Sequence, residues 1–443
     1  MTEATSNHAV RGHLLRVLGV GFGLAVIIGN TIGSGIFRTP GQIAGHLPNI
    51  WLFLSVWVIG GIYALLGAVQ IAELGTMLPR SGGQYVFARH ALGEYAGFIS
   101  GWSDWISTCG SAAAVAIVIS EFSRVLFPSL NGRELAVGIT ITVLFGALQW
   151  RGIAWGSSSQ NITSALKALV FIALIAACFI FGQGTIGSTP VMPVPAGFAL
   201  MGAFVISLQA VIFTYDGWTG VIYFSEEVEQ PGKNIPRSLF GGILLIIAIY
   251  LLVNLALLYV LPIGKIAGQD FAVGLAANEI FGKHGDTVFR SLTIVSMLSA
   301  LNAYHLMASR VLFAMSRDGL FTTRGATVNK GGTPAFALFV SVMVAVLFIV
   351  FGQTFERVLA VLAFFFVANY TLSFISVFVL RYREPKKERP YRAWGYPWTT
   401  AAVLLGSVLF LAGAIASDTR NSTYALGLLV ISYPLFYLIN RSR

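Results

Sequence analysis

Long apolar runs recur along the whole chain, and they constrain its fold more than any other feature. A helix needs about 20 apolar residues to cross the roughly 30 Å hydrocarbon core of a bilayer. The runs are apolar throughout, whereas transmembrane strands alternate polar and apolar residues, so the pattern predicts helices. We predict an all-α membrane protein with twelve transmembrane helices, at 17–45, 50–76, 92–126, 134–150, 157–182, 200–226, 236–262, 288–315, 333–352, 355–380, 396–416 and 422–440.

The composition excludes several classes of protein. Only 10% of the 443 residues are charged, against about 25% in soluble domains. Both cysteines, Cys109 and Cys178, fall inside apolar runs, so neither a disulfide framework nor a metal site is expected, and no cofactor is expected either. The net charge of +10 comes from residues between the spans, which is typical of topology control and does not indicate nucleic acid.

Lysine and arginine are distributed unevenly between alternate connecting segments. One set of segments holds Arg80, Arg89, Arg317 and a dense basic cluster at 381–392, while the opposite set holds far fewer. Cytoplasmic loops carry the excess of these residues in membrane proteins. We therefore predict a multi-pass protein of the cell membrane with both termini in the cytoplasm, beginning with a cytoplasmic tail at 1–16.

The first span carries three glycines near its middle, within the stretch 29–37. Glycine tolerates the dihedral angles of an unwound segment. In hydrocarbon an unpaired backbone group is costly, so a non-helical stretch survives only where it lines a cavity or binds something. Two interpretations fit the glycines equally well: a substrate site around Gly33, Ser34 and Gly35, or close packing of helices through small residues.

The sixth span carries Asp216 and Gly217 about midway along its length. An ionisable residue at mid-bilayer is a functional candidate by default. Two roles for Asp216 stay open. Its carboxylate could cap the free N–H groups of a following half-helix, where the helix dipole favours it, or it could contact the substrate.

The interruptions in spans one and six occupy corresponding positions in two five-span units, 17–182 and 200–380, and 396–440 adds two further helices. The units start with opposite orientation, which is typical of inverted-repeat transporters. In such proteins half-helix N-termini bind a carboxylate, while unwound carbonyls accept hydrogen bonds from a cation. A site that has both a half-helix N-terminus and unwound carbonyls suits a zwitterion.

Lys167 lies about ten residues inside the fifth span, or roughly 15 Å deep at 1.5 Å per residue. That depth is beyond the reach of a lysine stem that extends to the interface. Three roles remain: a proton carrier, a fixed cation that holds nearby carbonyls and hydroxyls, or a purely structural tie between spans. Ser296 and Ser299 in the eighth span are its predicted partners.

Other polar residues inside the spans either line a water-filled vestibule or join helices by hydrogen bonds, and we favour the second role for each. His305 also has a side chain that can titrate near neutral pH. These residues are Glu73, Asp104, Glu121, Asn302 and His305.

Six ordered motifs carry a resemblance to a known family: TIGSGIF at 31–37, AELG at 72–75, PRSGGQY at 79–85, FTYDGW at 213–218, EEVEQPGKNIPR at 226–237 and SRVLFAMSRDG at 309–319. With them the chain resembles the amino acid-polyamine-organocation superfamily over nearly its whole length. Within that superfamily it is similar to the bacterial branch of the L-amino acid transporters, which includes serine/threonine exchangers.

The resemblance implies the five-plus-five fold with broken helices 1 and 6, and roles for single residues. The substrate carboxylate meets the amides of 33–35, and its ammonium meets the carbonyls of Ile32 and of 213–215. Phe213 matches the aromatic residue that closes over the substrate. Lys167 matches a lysine that replaces the second sodium ion of sodium-coupled relatives, so sodium dependence is not expected. The candidate substrate site is Ile32, Gly33, Ser34, Gly35, Ile36, Phe213, Thr214, Tyr215 and Asp216, and the candidate coupling group is Lys167, Ser296 and Ser299.

Two departures from the family pattern limit this transfer. Many animal members have a glycine at the position of Asp216 and an asparagine at that of Thr219, so side-chain preference is not carried across. Those members also join an accessory subunit through a cysteine between spans three and four, and 127–134 contains no cysteine. No accessory subunit is therefore expected.

Together these features predict a secondary active transporter that moves amino acids by alternating access. Small or neutral L-amino acids are the expected substrates, by exchange or by proton-coupled uptake. If Asp216 is a counter-ion, the substrates are cationic amino acids or polyamines. A non-transporting amino acid sensor is the alternative from another class, and no grouping of a nucleophile with a base indicates an enzyme.

Overall fold

The computed structural model describes residues 18–80, 82–150, 154–185, 193–329, 332–352 and 354–441, with the backbone alone for 154–164, 166 and 440. Its α-helices are α1 (Val20–Thr31), α2 (Ser34–His46), α3 (Ile50–Met77), α4 (Tyr85–Leu92), α5 (Glu94–Leu126), α6 (Glu134–Trp150), α7 (Ala154–Phe181), α8 (Phe198–Tyr215), α9 (Pro231–Val260), α10 (Ile263–Ile266), α11 (Ala272–Phe281), α12 (Gly285–Arg317), α13 (Ala335–Gly352), α14 (Phe355–Arg383), α15 (Trp398–Ser417) and α16 (Thr419–Arg441). The predicted tail at 1–16 lies outside the described residues.

Nine of the described helices are long and apolar enough to cross a membrane, or ten if α1 and α2 form one span. The prediction of an all-helical, multi-pass membrane protein is therefore confirmed. The count of twelve spans stays a prediction. Helix α6 has only 17 residues, which is about 25 Å of helix, and the described side chains of α7 begin near its middle.

Two short helices fold where the sequence predicted only connecting segments. Helix α4 follows the glycines of the third motif, and α11 lies within 263–287. One face of α11 is buried, with Ala272, Val273 and Ala276 fully covered, and the helix packs against α12. Both helices are too short to register as spans, so a search for 20-residue apolar runs misses them.

Helix α5 lies at the centre of the bundle, where it packs against α4, α6, α12, α13 and α14. Its residues from 103 to 120 are buried without interruption, as expected for a helix that is covered on every side. Helix α3 begins at a defined cap. The Asn49 side chain accepts hydrogen bonds from the N–H groups of Trp51 and Leu52, at 3.0 and 3.1 Å, and fixes the start of α3.

Ion pairs tie helix ends together on the side predicted to face the cytoplasm. The Asp318 carboxylate accepts a hydrogen bond from the Tyr85 hydroxyl at 3.0 Å and pairs with Arg89 at 2.9 Å. Glu73 is 1% exposed and pairs with Arg381 at 2.6 Å and with Arg389 at 3.1 Å. Glu73 therefore joins α3 to α14 and the segment after it, which is the role favoured from the sequence.

Candidate functional site

The backbone leaves helical geometry between α1 and α2, and this interruption is called the first break (32–33). Helix α1 ends at Thr31, Ile32 has ψ 84° and Gly33 has φ −124° and ψ −149°. The two helices meet at an angle of 45°. The N–H groups of Ser34, Gly35 and Ile36 make no hydrogen bond to any described residue, because the first turn of a helix has no intrahelical acceptors.

Polar side chains around the first break also lack partners. Asn30 Oδ1, Thr31 Oγ1 and Ser34 Oγ are buried, and no described group donates to them or accepts from them. An unpartnered buried polar group costs about 1–3 kcal/mol, so three of them in five residues are not accounted for by packing alone. The first break therefore presents amides and polar oxygens to a polar ligand.

A second interruption, called the second break (216–219), follows α8. Helix α8 ends at Tyr215, the chain turns through Gly217 with φ +107°, and a 3₁₀ segment spans Gly220–Phe224. A Cβ atom at Gly217 would lie 2.9 Å from the carbonyl carbon of Asn30. Only glycine fits there, because the positive φ and the close approach both exclude a side chain. The second break thus packs against the backbone of the last residues of α1, directly before the first break.

Helices α2 and α8 also approach closely beside the breaks. A Cβ atom at Gly35 would lie 2.5 Å from Thr214 Oγ1 and 2.9 Å from Thr214 Cα. One turn along α2, the Thr39 hydroxyl lies 2.8 Å from the Thr214 hydroxyl. The two interpretations of the glycines are therefore compatible at different positions. Gly35 packs closely, while a Cβ atom at Gly33 would meet only the carbonyl oxygen of Asn30, at 3.9 Å.

Two tyrosines hold the end of α1 at the first break, and neither was predicted from the sequence. The Tyr250 hydroxyl on α9 lies 2.6 Å from the carbonyl oxygen of Thr31 and 2.9 Å from that of Thr214, so it bridges α1 and α8. The Tyr304 hydroxyl on α12 donates to the carbonyl of Asn30 at 3.1 Å. A hydroxyl at mid-span in an otherwise apolar run is the signal that could have identified them.

Lys167 is 3% exposed and reaches the last turn of α1. Its ammonium donates to the carbonyl oxygens of Gly29 at 3.1 Å and of Ile32 at 3.4 Å. A cation is favoured at the C-terminal end of a helix, where carbonyls are unpaired and the dipole is negative. Lys167 therefore attaches α7 to the first break itself.

The predicted hydrogen bond between Lys167 and Ser296 is absent from this conformation. Lys167 and Ser296 line one cavity of about 50 Å³, but the Ser296 hydroxyl is buried without a partner. The carbonyls at the end of α1 attract the ammonium more strongly, because they carry the helix dipole. Ser299 lies one turn further along α12.

Asp216 follows the last residue of α8, at the start of the second break. Its carboxylate oxygen Oδ1 accepts a hydrogen bond from the Tyr370 hydroxyl on α14 at 2.6 Å, and both roles kept open from the sequence stay predictions. The half-buried carboxylate thus ties the second break to α14. A second carboxylate, Asp104 on α5, accepts from Tyr223 at 2.6 Å, and its Oδ2 has no partner.

An aromatic and ionic layer covers the side of the breaks that is predicted to face outward. The Phe213 ring packs edge-on against Phe355 with 5.4 Å between ring centroids, and the Arg38 guanidinium lies 5.1 Å from the Phe355 centroid. Arg38 is 5% exposed and pairs with three carboxylates, those of Glu121, Asp270 at 2.8 Å and Glu356 at 3.2 Å. These pairs join α2, α5 and α14 on one side of the candidate site.

The breaks offer hydrogen-bond donors and acceptors and not metal ligands. Among the residues that the structure describes, no group of three His, Cys, Asp or Glu side chains could hold a metal ion. The chemistry available at the breaks is therefore recognition of a small polar molecule.

Comparison with known proteins assigns a family to this architecture. Residues 23–438 match the family described as amino acid permease. The serine/threonine exchanger SteT of Bacillus subtilis (strain 168) is 29% identical over 97% of this chain and 98% of its own length. The b(0,+)-type amino acid transporter 1 of Rattus norvegicus is 26% identical over 96% of this chain and 88% of its own length. The Asc-type amino acid transporter 1 of Mus musculus is 27% identical over 86% of this chain and 73% of its own length.

These relatives imply a transporter rather than an enzyme, and they support amino acid transport as the activity. The match extends over both breaks and over Lys167. The chain belongs to the amino acid permease family, within the amino acid-polyamine-organocation superfamily.

Proposed function

We propose that this protein is a secondary active transporter that binds the zwitterionic part of an amino acid at the first break. The observation that carries the proposal is the set of unpaired groups there: the amides of 34–36 and the buried oxygens of Asn30, Thr31 and Ser34. The amides at the N-terminal end of α2, together with Gly33, suit a carboxylate. Ile36 completes this first turn.

In the proposed pose the substrate ammonium meets the carbonyls at the ends of α1 and α8. Ile32 O already accepts from Lys167 and Thr214 O from Tyr250, but each carbonyl oxygen has two lone pairs and keeps one for a ligand. The carbonyls of Phe213 and Tyr215 lie at the same helix end. Phe213 then forms the lid over the bound substrate, supported by its contact with Phe355.

We propose twelve spans in a five-plus-five inverted repeat, with α1 and α2 as one interrupted span and α8 with the following 3₁₀ segment as its counterpart. Helix packing supports this proposal, because spans five places apart in the predicted order contact each other: α2 with α8, α3 with α9, α5 with α12, and α6 with α13. When two repeats are related by a two-fold axis, equivalent helices that lie close to the axis pack side by side. Both termini are then cytoplasmic, in the cell membrane.

Small or neutral L-amino acids are the proposed substrates. The Asp216 carboxylate is engaged by Tyr370, so it is less available to a cationic side chain. The printed name of one relative, a serine/threonine exchanger, agrees with small neutral substrates. Lys167, placed between the first break and the cavity lined by Ser296, is proposed to couple substrate binding to movement of α1, and sodium is not required.

The first prediction tests transport and its coupling together. Purified protein in liposomes loaded with unlabelled amino acids is given a panel of labelled amino acids, with and without a pH gradient. We expect a small neutral amino acid to accumulate, driven by internal amino acid in an exchanger or by the gradient in a proton symporter, and equally well without sodium. Protein-free liposomes are the control.

Two outcomes would contradict the proposal in different places. Tight binding of amino acids without any uptake would favour the alternative of a sensor. Uptake that requires sodium would contradict the role given to Lys167. Addition of a partner protein is unnecessary in this assay if the proposed independence from an accessory subunit is correct.

Transport of cationic amino acids or polyamines is the second candidate, and one observation favours it. Two carboxylates lie inside the bundle: Asp216 follows α8, and Asp104 is buried on α5. Their hydrogen bonds come from tyrosines, and neither has an ion pair with a described basic residue. A cationic substrate would neutralise them.

The second prediction separates these candidates. We expect arginine and putrescine to leave the uptake of neutral amino acids unchanged, because the Asp216 carboxylate already accepts a hydrogen bond from Tyr370. Competition by either cation that disappears in Asp216→Asn, with neutral uptake intact, would establish the second candidate instead. Asp418→Asn is the matched control, since Asp418 lies at the end of α15 and bonds locally to Asn421.

A further inference from the structure

A cavity of about 400 Å³ lies at the end of α14 and in the segment between α14 and α15, apart from the candidate substrate site. This volume falls within the roughly 300–1,000 Å³ typical of ligand sites. Three of its six lining residues are arginines and two are tyrosines. The lining residues are Arg381, Tyr382, Pro385, Arg389, Arg392 and Tyr396.

The cavity carries more positive than negative charge. Behind its wall, Glu73 accepts from Arg381 Nε and from Arg389 Nε, and also from the Ala393 N–H at 2.7 Å. Arg389 also donates three hydrogen bonds to backbone carbonyls. Glu73 thus pairs with two of the three guanidinium groups, and Arg392 has no ion-pair partner among the described residues.

Arg389 therefore builds the wall, while two other arginines face the space. Arg381 binds Glu73 through Nε and one terminal nitrogen, and its other terminal nitrogen makes no described hydrogen bond. Its guanidinium carbon lies over the Tyr396 ring, 4.6 Å from the centroid. Arg392 is exposed at the rim, next to Tyr382.

The cavity lies at one end of two apolar helices. Its lining runs from the last turn of α14 through the segment that leads to α15, and both helices are long and apolar enough to span a membrane. Three aromatic side chains nearby are strongly exposed: Tyr382 at 87%, Trp394 at 55% and Trp398 at 81%. Tyrosine and tryptophan in such positions mark the headgroup region of a bilayer.

We propose that this cavity binds the phosphate group of an anionic phospholipid. Arginine is suited to phosphate because its planar donors bind two oxygens at once, and basic pockets between transmembrane helices on the cytoplasmic side bind acidic headgroups. Arg392, the free terminal nitrogen of Arg381 and the Tyr382 hydroxyl contact the phosphate. The acyl chains lie along α14 and α15, so a lipid satisfies the surroundings better than a free phosphate ion.

The test measures lipid retention by the purified full-length protein, with native mass spectrometry. The protein is titrated with phosphatidylglycerol or with phosphatidylcholine of the same acyl chains, and separately with inorganic phosphate. We expect preferential retention of phosphatidylglycerol. We expect Arg392→Gln to weaken it by about fivefold or more, the effect of removing one arginine near an anionic surface. Arg324→Gln, an exposed arginine elsewhere on the predicted cytoplasmic side, is the matched control and should retain lipid as the wild type does.

Each remaining outcome overturns the proposal. Equal retention of the two lipids would remove the anionic headgroup as the ligand. Equal loss of phosphatidylglycerol in Arg392→Gln and Arg324→Gln would show that retention depends on the overall positive charge and not on this cavity. Displacement of phosphatidylglycerol by millimolar inorganic phosphate would assign the cavity to a free anion. None of these results depends on transport, so the proposed function and this site fail independently.

Discussion

Gly35→Ala should weaken substrate binding by roughly tenfold to a hundredfold, because overpacking a close contact costs about 1–3 kcal/mol. The new methyl group would lie 2.5 Å from Thr214 Oγ1 and 2.9 Å from Thr214 Cα. The backbone atom cannot yield as a flexible side chain can, so α2 and α8 must separate. Separation moves the amides of the first break away from the carbonyls at the end of α8, and Gly35→Leu should abolish binding altogether. Equilibrium binding of a labelled amino acid to purified protein is the measurement.

Gly45→Ala is the matched control for this variant. Gly45 lies on the same helix, and a Cβ atom there meets nothing closer than 3.5 Å, which is ordinary van der Waals distance. We expect it to bind substrate as the wild type does. Wild-type affinity in both Gly35 variants, with unchanged thermal unfolding, would remove the basis for a site at the first break.

Lys167→Ala should reduce transport by at least about tenfold while the protein still folds. The ammonium makes two hydrogen bonds to carbonyls at the end of α1, and a hydrogen bond to a charged group contributes about 1.5–3 kcal/mol. Alanine leaves those carbonyls buried without a donor. The first break then loses these hydrogen bonds to α7, so under the proposed role of Lys167 substrate binding no longer drives the same movement. Uptake into liposomes, normalised to the reconstituted protein, measures the loss.

Lys265→Ala provides the comparison, because Lys265 is exposed and only pairs with Glu279 at 3.1 Å. It should transport normally. The design also separates coupling from binding: we expect Lys167→Ala to bind substrate more weakly but measurably while uptake falls further. Normal uptake in Lys167→Ala would reduce this residue to a structural tie between spans.

Much of the fold was predictable, because membrane crossing imposes length and polarity on each segment separately. Helix α3 illustrates this. The predicted span 50–76 and the observed helix, Ile50–Met77, differ by one residue. Asparagine at the start and a long apolar run suffice to define it. Short helices such as α11 escape the same logic, since ten residues do not cross a bilayer.

The positions of the two breaks were predictable, but their contacts were not. Glycines at 33 and 35 and the pair at 216–217 indicated where the helices are interrupted, and at Gly217, with φ +107°, the backbone favours glycine. Which partners meet there depends on distant segments. Tyr250, Tyr304 and Tyr370 come from three other helices, and no local pattern connects them to the breaks. The preference of Lys167 for carbonyls over Ser296 likewise follows from how α7 packs on α1.

The Tyr250 hydroxyl has a consequence for the energetics of the working cycle. It has a single hydrogen, yet it lies within bonding distance of one oxygen on α1 and one on α8. When these two segments slide past each other, the Tyr250 hydroxyl can rotate and donate its hydrogen to the other carbonyl oxygen. One hydrogen bond then lengthens as the other shortens. The total hydrogen-bond energy then changes little along the path. In the proposed alternating access, this exchange of partners would let α1 and α8 move past each other without a high barrier while they stay attached.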